Sequence, residues 1–113
     1  MLNQTIIVGR MVQDPELRQT ENGRKVANVT LAVPRSFKNS NGEYETDFIN
    51  CVLWKGIAES TVQYCKKGDL VGIKGRIQSR ECEIDEQLKK QVVEVVAEKV
   101  TFLSSGKKSE EQS

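Results

Sequence analysis

The 113 residues predict a single, mainly β domain with one helix. Three observations carry this reading. Segments rich in Val, Ile and Thr alternate in character at a period of two, as strands do. Asn22-Gly23 and Asn41-Gly42 punctuate them where hairpin turns belong. One stretch, Ile57 to Lys66, switches to a helical period. The length suits one domain with its own core. With 37% hydrophobic and 29% charged residues, the chain reads as globular and soluble.

Leu2 to Val12 is an apolar β-rich run, which suits a strand buried on both faces or one buried against a second subunit. Asp14-Pro15 breaks it, and Pro15 suits an edge or bulge. Glu16–Thr20 then faces Arg24–Thr30 across Glu21-Asn22-Gly23, in which Asn-Gly is a strong two-residue hairpin signal. After the turn, Ala27, Val29, Leu31 and Val33 share one face, and Asn28, Thr30 and Ala32 the other. Pro34 is expected to end the regular ladder, leaving Arg35–Glu45 as a polar, protruding hairpin. Tyr44 to Trp54 is the next strand.

In the helical stretch Ala58, Thr61, Val62 and Cys65 form one stripe. Lys66 and Lys67 suit its C-terminus, with Gly68 just beyond. Strand character resumes from Leu70 to Arg80, with Val71, Ile73 and Ile77 on the core side and Lys74, Arg76, Gln78 and Arg80 opposite. Gly72 and Gly75 read as close-packing glycines in that strand. Glu81 to Lys90 is a charged connection, and Val92 to Leu103 the last strand. Residues 1–103 therefore form the domain, and 104–113 a short, disordered polar tail. Five strands with one helix between the third and fourth is the layout of the OB-fold, a five-stranded Greek-key barrel.

The strand Tyr44–Trp54 carries the functional signal. One face holds Ile49, Cys51 and Leu53, which suit a core; the other holds Tyr44, Thr46, Phe48, Asn50, Val52 and Trp54. Three of the six aromatics thus sit together, away from the aliphatic side. Such a face serves either a subunit contact or a flat ligand. Lys74, Arg76 and Arg80 at even spacing favour the second, if their strand neighbours the aromatic one. Rings interleaved with cations suit single-stranded nucleic acid, whose bases stack while its phosphates meet Lys and Arg. The residues alone do not separate DNA from RNA. Charge points the same way. Residues 1–80 hold 12 Lys and Arg against 8 Asp and Glu, whereas 81–113 hold 5 against 8.

Other chemistries find little footing. There is no histidine, and Cys51, Cys65 and Cys82 are odd in number without Cys-x-x-Cys spacing. No metal, cofactor, disulfide framework or catalytic constellation is expected, and an enzyme is not predicted. Gly106-Lys107-Lys108-Ser109 lacks the glycine spacing of a phosphate loop. No apolar run reaches membrane-spanning length and no signal peptide is apparent, so a cytoplasmic location is expected.

The chain resembles the bacterial single-stranded DNA-binding proteins. The matching segments include Val8-Gly9-Arg10, Asp14-Pro15-Glu16-Leu17-Arg18, Asp47-Phe48-Ile49, Trp54, Lys67-Gly68, Gly75-Arg76-Ile77-Gln78-Ser79-Arg80 and Glu94-Val95-Val96-Ala97. The resemblance implies an OB-fold homotetramer that wraps single-stranded DNA and acts in replication, recombination, repair or DNA uptake. By position, Phe37, Phe48 and Trp54 resemble the family's base-stacking aromatics. Arg18, Arg35, Lys38, Lys55, Lys67, Arg76 and Arg80 fall among its basic contacts, and Lys74 joins them from the strand-face reading above. Two departures stand out. Cys82 occupies the place of a further stacking aromatic, and Glu83–Gln91 lacks the usual glycine. The ending Ser-Glu-Glu-Gln-Ser is unlike the acidic, Pro-Phe-tipped tails that recruit replication enzymes, so no such recruitment is expected.

Overall fold

The computed structural model describes residues 1–106. Six strands and one helix follow in order: β1 (Thr5–Met11), β2 (Leu17–Gln19), β3 (Lys25–Lys38), β4 (Tyr44–Trp54), α1 (Lys55–Tyr64), β5 (Leu70–Glu83) and β6 (Lys89–Ser104). The sheet runs β1-β5-β6-β4-β3-β2, and a further β1–β3 pairing closes five of the strands into a barrel. Short β2 lies outside it as a flap on β3. The predicted OB-fold is thus present, with its helix between the third and fourth barrel strands, β4 and β5.

The core is the barrel interior. Leu31, Leu53, Ile73, Val71 and Cys51 are its largest fully buried side chains, and alternation along each strand sends them inward. Gly75 lets β5 approach β6, since a Cβ there would collide with the Val96 carbonyl oxygen. Gly72 meets only ordinary contacts, so of the two glycines expected to pack closely, Gly75 alone does.

Several local expectations are corrected. Both hairpin turns are three-residue loops, the first spanning Glu21-Asn22-Gly23 as expected, although Asn-Gly by itself signals two. Thr20 N–H donates to the Arg24 carbonyl and Asn39 N–H to that of Glu43, with Gly23 and Gly42 at φ near +80°. The regular ladder ends at Pro34, as expected, but the strand does not. β3 runs on to Lys38, and the ladder slips between Pro34 and Lys38. The helix starts at Lys55 and ends at Tyr64 with an extended Cys65 cap. Gly68, at φ +89°, belongs to the turn after it and donates its N–H to Met11.

Ile77 is 48% exposed because β1 pairing stops at Gly75 and β5 continues past the barrel's end. Val52, expected on the exposed side of β4, is buried between its cross-strand neighbours Asn28 and Val96. The charged stretch 81–90 is largely ladder, with Glu83 opposite Lys89. Its turn works without glycine, because Asp85 Oδ1 accepts the N–H groups of Gln87 and Leu88, each at 2.8 Å. Burial of β1 on both faces does not hold in the single chain: Ile6 is 73% exposed. Ser104 ends β6 and Gly106 N–H donates to Asp69 Oδ1, so structure reaches beyond the expected start of the tail. The rest of that stretch, 107–113, lies outside the described residues.

Candidate nucleic-acid interface

The pairing registers assemble the outer sheet face in rows. One row reads Arg18, Val26, Trp54 across β2, β3 and β4. The next reads Asn28, Val52, Val96, Arg76 across β3, β4, β6 and β5. Beyond those two β4–β6 pairs the ladders run separately: Thr30 opposes Asn50 and Ala32 opposes Phe48, while Glu94 opposes Gln78 and Val92 opposes Arg80. The expected adjacency of the aromatic and basic strands is therefore wrong in detail. β6 stands between β4 and β5, so Arg76 and Arg80 do not lie on a strand paired with the aromatic one. The aromatic strand lies centrally, with Arg18 on one side and Arg76 and Arg80 on the other.

Along β4 the rings are unequal. Phe48 is 65% exposed, whereas Trp54 is half-buried and caps the start of α1. The two are six residues apart, about 20 Å of strand. Arg24 lies over the Trp54 ring, 5.1 Å from its centroid, a cation–π contact. Arg24 was missed from sequence. The register would have found it: Val26 opposes Trp54, and Arg24 is two residues along on the same side. Lys38 similarly covers Tyr44, at 5.7 Å. Phe37 stands out on the hairpin arm, 64% exposed.

The cations differ in how free they are. Arg80 donates from Nε to Glu94 Oε1 at 2.9 Å, and that bond raises the guanidinium pKa. Gln78 Nε2 donates to the same oxygen at 3.1 Å, and Glu94 is itself buried. The pair borders a polar depression of about 220 Å³ with Asn28, Thr30 and Asn50, and Thr30 donates to Asn50 at 3.0 Å. Arg76, alongside, is exposed and donates to Gln78 Oε1 at 3.2 Å. Arg35 is held by two carboxylates, 2.7 Å from Glu45 and 3.0 Å from Asp47. The Arg35 hydrogen bond keeps the Asp47 carboxyl below its ordinary range.

Lys55 opens α1 at φ +53°, a conformation most side chains avoid. It borders a groove of about 800 Å³ between α1 and β6, with Trp54, Ile57, Tyr64, Lys99 and Phe102. Lys67 is exposed in the turn before β5, its backbone N–H bonded to Asp14. Lys74 lies opposite Ile6, on the same side of β5 as Arg76 but towards β1. Cys82 is half-buried opposite Lys90, at the far end of the basic strand. The structure thus brings Phe48, Trp54, Arg18, Arg76 and Arg80 onto one face. Phe37, Lys38, Lys55, Lys67 and Lys74 lie around it, and Arg35 is tied elsewhere.

No group of three metal-binding side chains occurs among the described residues, and no helix there is long and apolar enough to cross a membrane. Comparison with known proteins gives a consistent answer. Single-stranded DNA-binding protein B of Bacillus subtilis (strain 168) is 53% identical over 103 residues, which are 91% of each chain. The single-stranded DNA-binding protein of Lactiplantibacillus plantarum is 50% identical over 110 residues, 97% of this chain and 55% of that one. Single-stranded DNA-binding protein 1 of Lactococcus lactis is 48% identical over 112 residues, 99% of this chain and 75% of that one. The sequence profile of the single-strand binding protein family matches residues 2–103, and the chain belongs to that family.

Proposed function

We propose that the protein binds single-stranded DNA along the outer face of β4, with little regard to base sequence, and that it is a binding protein and not an enzyme. Family membership and the names of the relatives support the ligand. The observation that carries the mode is the row arrangement, with exposed Phe48 and half-buried Trp54 on the central strand and cations on both flanks. Bases stack on such rings regardless of identity, and Arg18, Arg76, Lys55 and Lys67 neutralise phosphates. Use of this face for protein contacts alone is not favoured, given those flanking cations.

A homotetramer is part of the proposal. Among the described residues, the edge of β1 from Thr5 to Gly9 has no strand partner on its second side, and Ile6 and Val8 are exposed beside it. An open edge with apolar neighbours is the kind of surface that a second copy covers. A cytoplasmic, nucleoid-associated setting follows from the ligand.

The test uses Trp54, the only tryptophan. Titration with oligo-dT quenches its fluorescence, and the affinity falls as salt rises. Parallel titrations with oligo-rU and duplex DNA are expected to show weaker binding. Unchanged Trp54 emission at saturating oligo-dT would sink the stacking role.

A further inference from the structure

The hairpin between β3 and β4 reaches past the barrel, and its ladder is interrupted where Arg35 sits. Pro34 pairs with Thr46 and Lys38 with Tyr44, so four steps along β3 answer two along β4. Pro34 also has no N–H to give. Side chains bridge the gap. Arg35 donates from Nε and Nη2 to Asp47, and from Nη1 to Glu45 Oε2 at 2.7 Å. Asn39 Nδ2 donates to Glu45 Oε1 at 3.4 Å. Asn39 Oδ1 in turn accepts the backbone N–H groups of Asn41 and Glu43, at 2.9 and 3.0 Å, and so holds the turn. The series Asp47, Arg35, Glu45, Asn39 and turn backbone is continuous along the arm.

The side of the arm matters as much as the bonds. Glu45 and Asp47 alternate with Tyr44, Thr46 and Phe48 on β4, so the carboxylates face away from the ring of Phe48. A DNA strand over Phe48 would not meet Arg35 without turning around the hairpin. It would also have to compete with two carboxylates for a bidentate partner.

Resting on the single-stranded DNA reading above, we propose that Arg35 is a positioning residue and not a phosphate contact: with Glu45, Asp47 and Asn39 it forms a splint on the reverse of the hairpin that holds Phe37 and Phe48 in place for stacking. The splint substitutes for ladder bonds lost at the slip between Pro34 and Lys38. It keeps the arm straight at no cost in charge on the binding side. Freeing Arg35 therefore harms binding, although it releases a cation.

Two readouts test this on the full chain. The first is oligo-dT affinity across a salt series for wild type, Arg35→Ala, Arg35→Lys and the double variant Glu45→Gln/Asp47→Asn. A splint predicts that Arg35→Ala and the double variant each bind several-fold more weakly at every salt concentration. The slope of log affinity against log salt stays the same, and Arg35→Lys recovers part of the loss. A phosphate contact predicts the reverse: tighter binding by the double variant, and a slope shallower by about 0.7 for Arg35→Ala. That pattern would overturn the proposal. The second readout is hydrogen exchange of the Asn39 and Gly42 amides without DNA, which should quicken in Arg35→Ala and in the double variant. Unchanged exchange rates would also overturn it. Absence of oligo-dT binding by the wild type would refute the DNA reading, while the exchange rates would still decide whether the splint exists.

Discussion

Arg80 Nε and Glu94 Oε1 lie 2.9 Å apart, and of the two residues only Glu94 is buried. The asymmetry decides what each does. Glu94 has left water and depends on Arg80 and Gln78 for its hydrogen bonds. Arg80, with a half-exposed side chain, loses little by being there. Arg80→Ala should therefore destabilise the fold by ~2 kcal/mol, because a buried carboxylate loses its cation. Arg76→Ala, four residues back on the same face, should stay within about 0.5 kcal/mol. Urea unfolding of both variants checks this, and equal midpoints would contradict it.

Phe48 and Leu53 separate binding from folding along one strand. Phe48→Ala should weaken oligo-dT binding by ~1–3 kcal/mol with little change in stability. Leu53 is fully buried, and Leu53→Ala should cost ~2–5 kcal/mol of stability through the cavity it leaves. Trp54 is half-buried beneath Arg24, so Trp54→Ala is expected to show some of both effects. Binding and thermal unfolding on the three variants make the comparison.

The three thiols should separate by reactivity. Burial pushes Cys51 up to about 12, and it raises Cys65 with help from Asp69. Both stay protonated and unreactive at neutral pH, since the thiolate is the nucleophile. Half-buried Cys82 is the expected site for a thiol reagent, giving one modified group per native chain and three after unfolding. The sign of the pH dependence follows. A thiol whose pKa is raised by folding supports the native state fully below its ordinary value. That support is lost as pH climbs from there towards about 12, so stability should decline in alkali. Cys51→Ala should flatten the decline, as read by unfolding at several alkaline pH values.

Much of the barrel was legible because one-sided burial imposes a period of two. Val29, Leu31, Cys51 and Leu53 could be put inside from alternation alone, and the structure buries all four. Ile77 defeated that logic because alternation gives direction and not depth: it points inward where the barrel has already ended. Val52 failed for the converse reason, as a residue directed outward that its neighbours cover. The helix ended early because Lys66, Lys67 and Gly68 suited a terminus, while Gly68 was needed for the next turn. At the candidate site, the rings on β4 were readable, but the strand between them and Arg80 was not. Neighbour order in a barrel is set by pairings between distant segments, which local pattern does not encode. The same holds for Arg24 over Trp54 and Glu94 under Arg80.

The β4–β6 seam rests on two aligned pairs, Cys51 with Val95 and Val52 with Val96. The hairpins on either side, β3–β4 and β5–β6, are local in the chain, and forming each demands little loop closure. Joining them must bring together segments more than forty residues apart, about the separation from Val52 to Val96. The chain-closure entropy of that step falls on a short contact, which slows it relative to the hairpins. The arrangement that brings Arg76 and Arg80, across β6, onto the face of the aromatic strand depends on this seam. The binding face is thus divided between two hairpins that are each local in the chain, and its continuity depends on a two-pair contact between segments far apart in sequence.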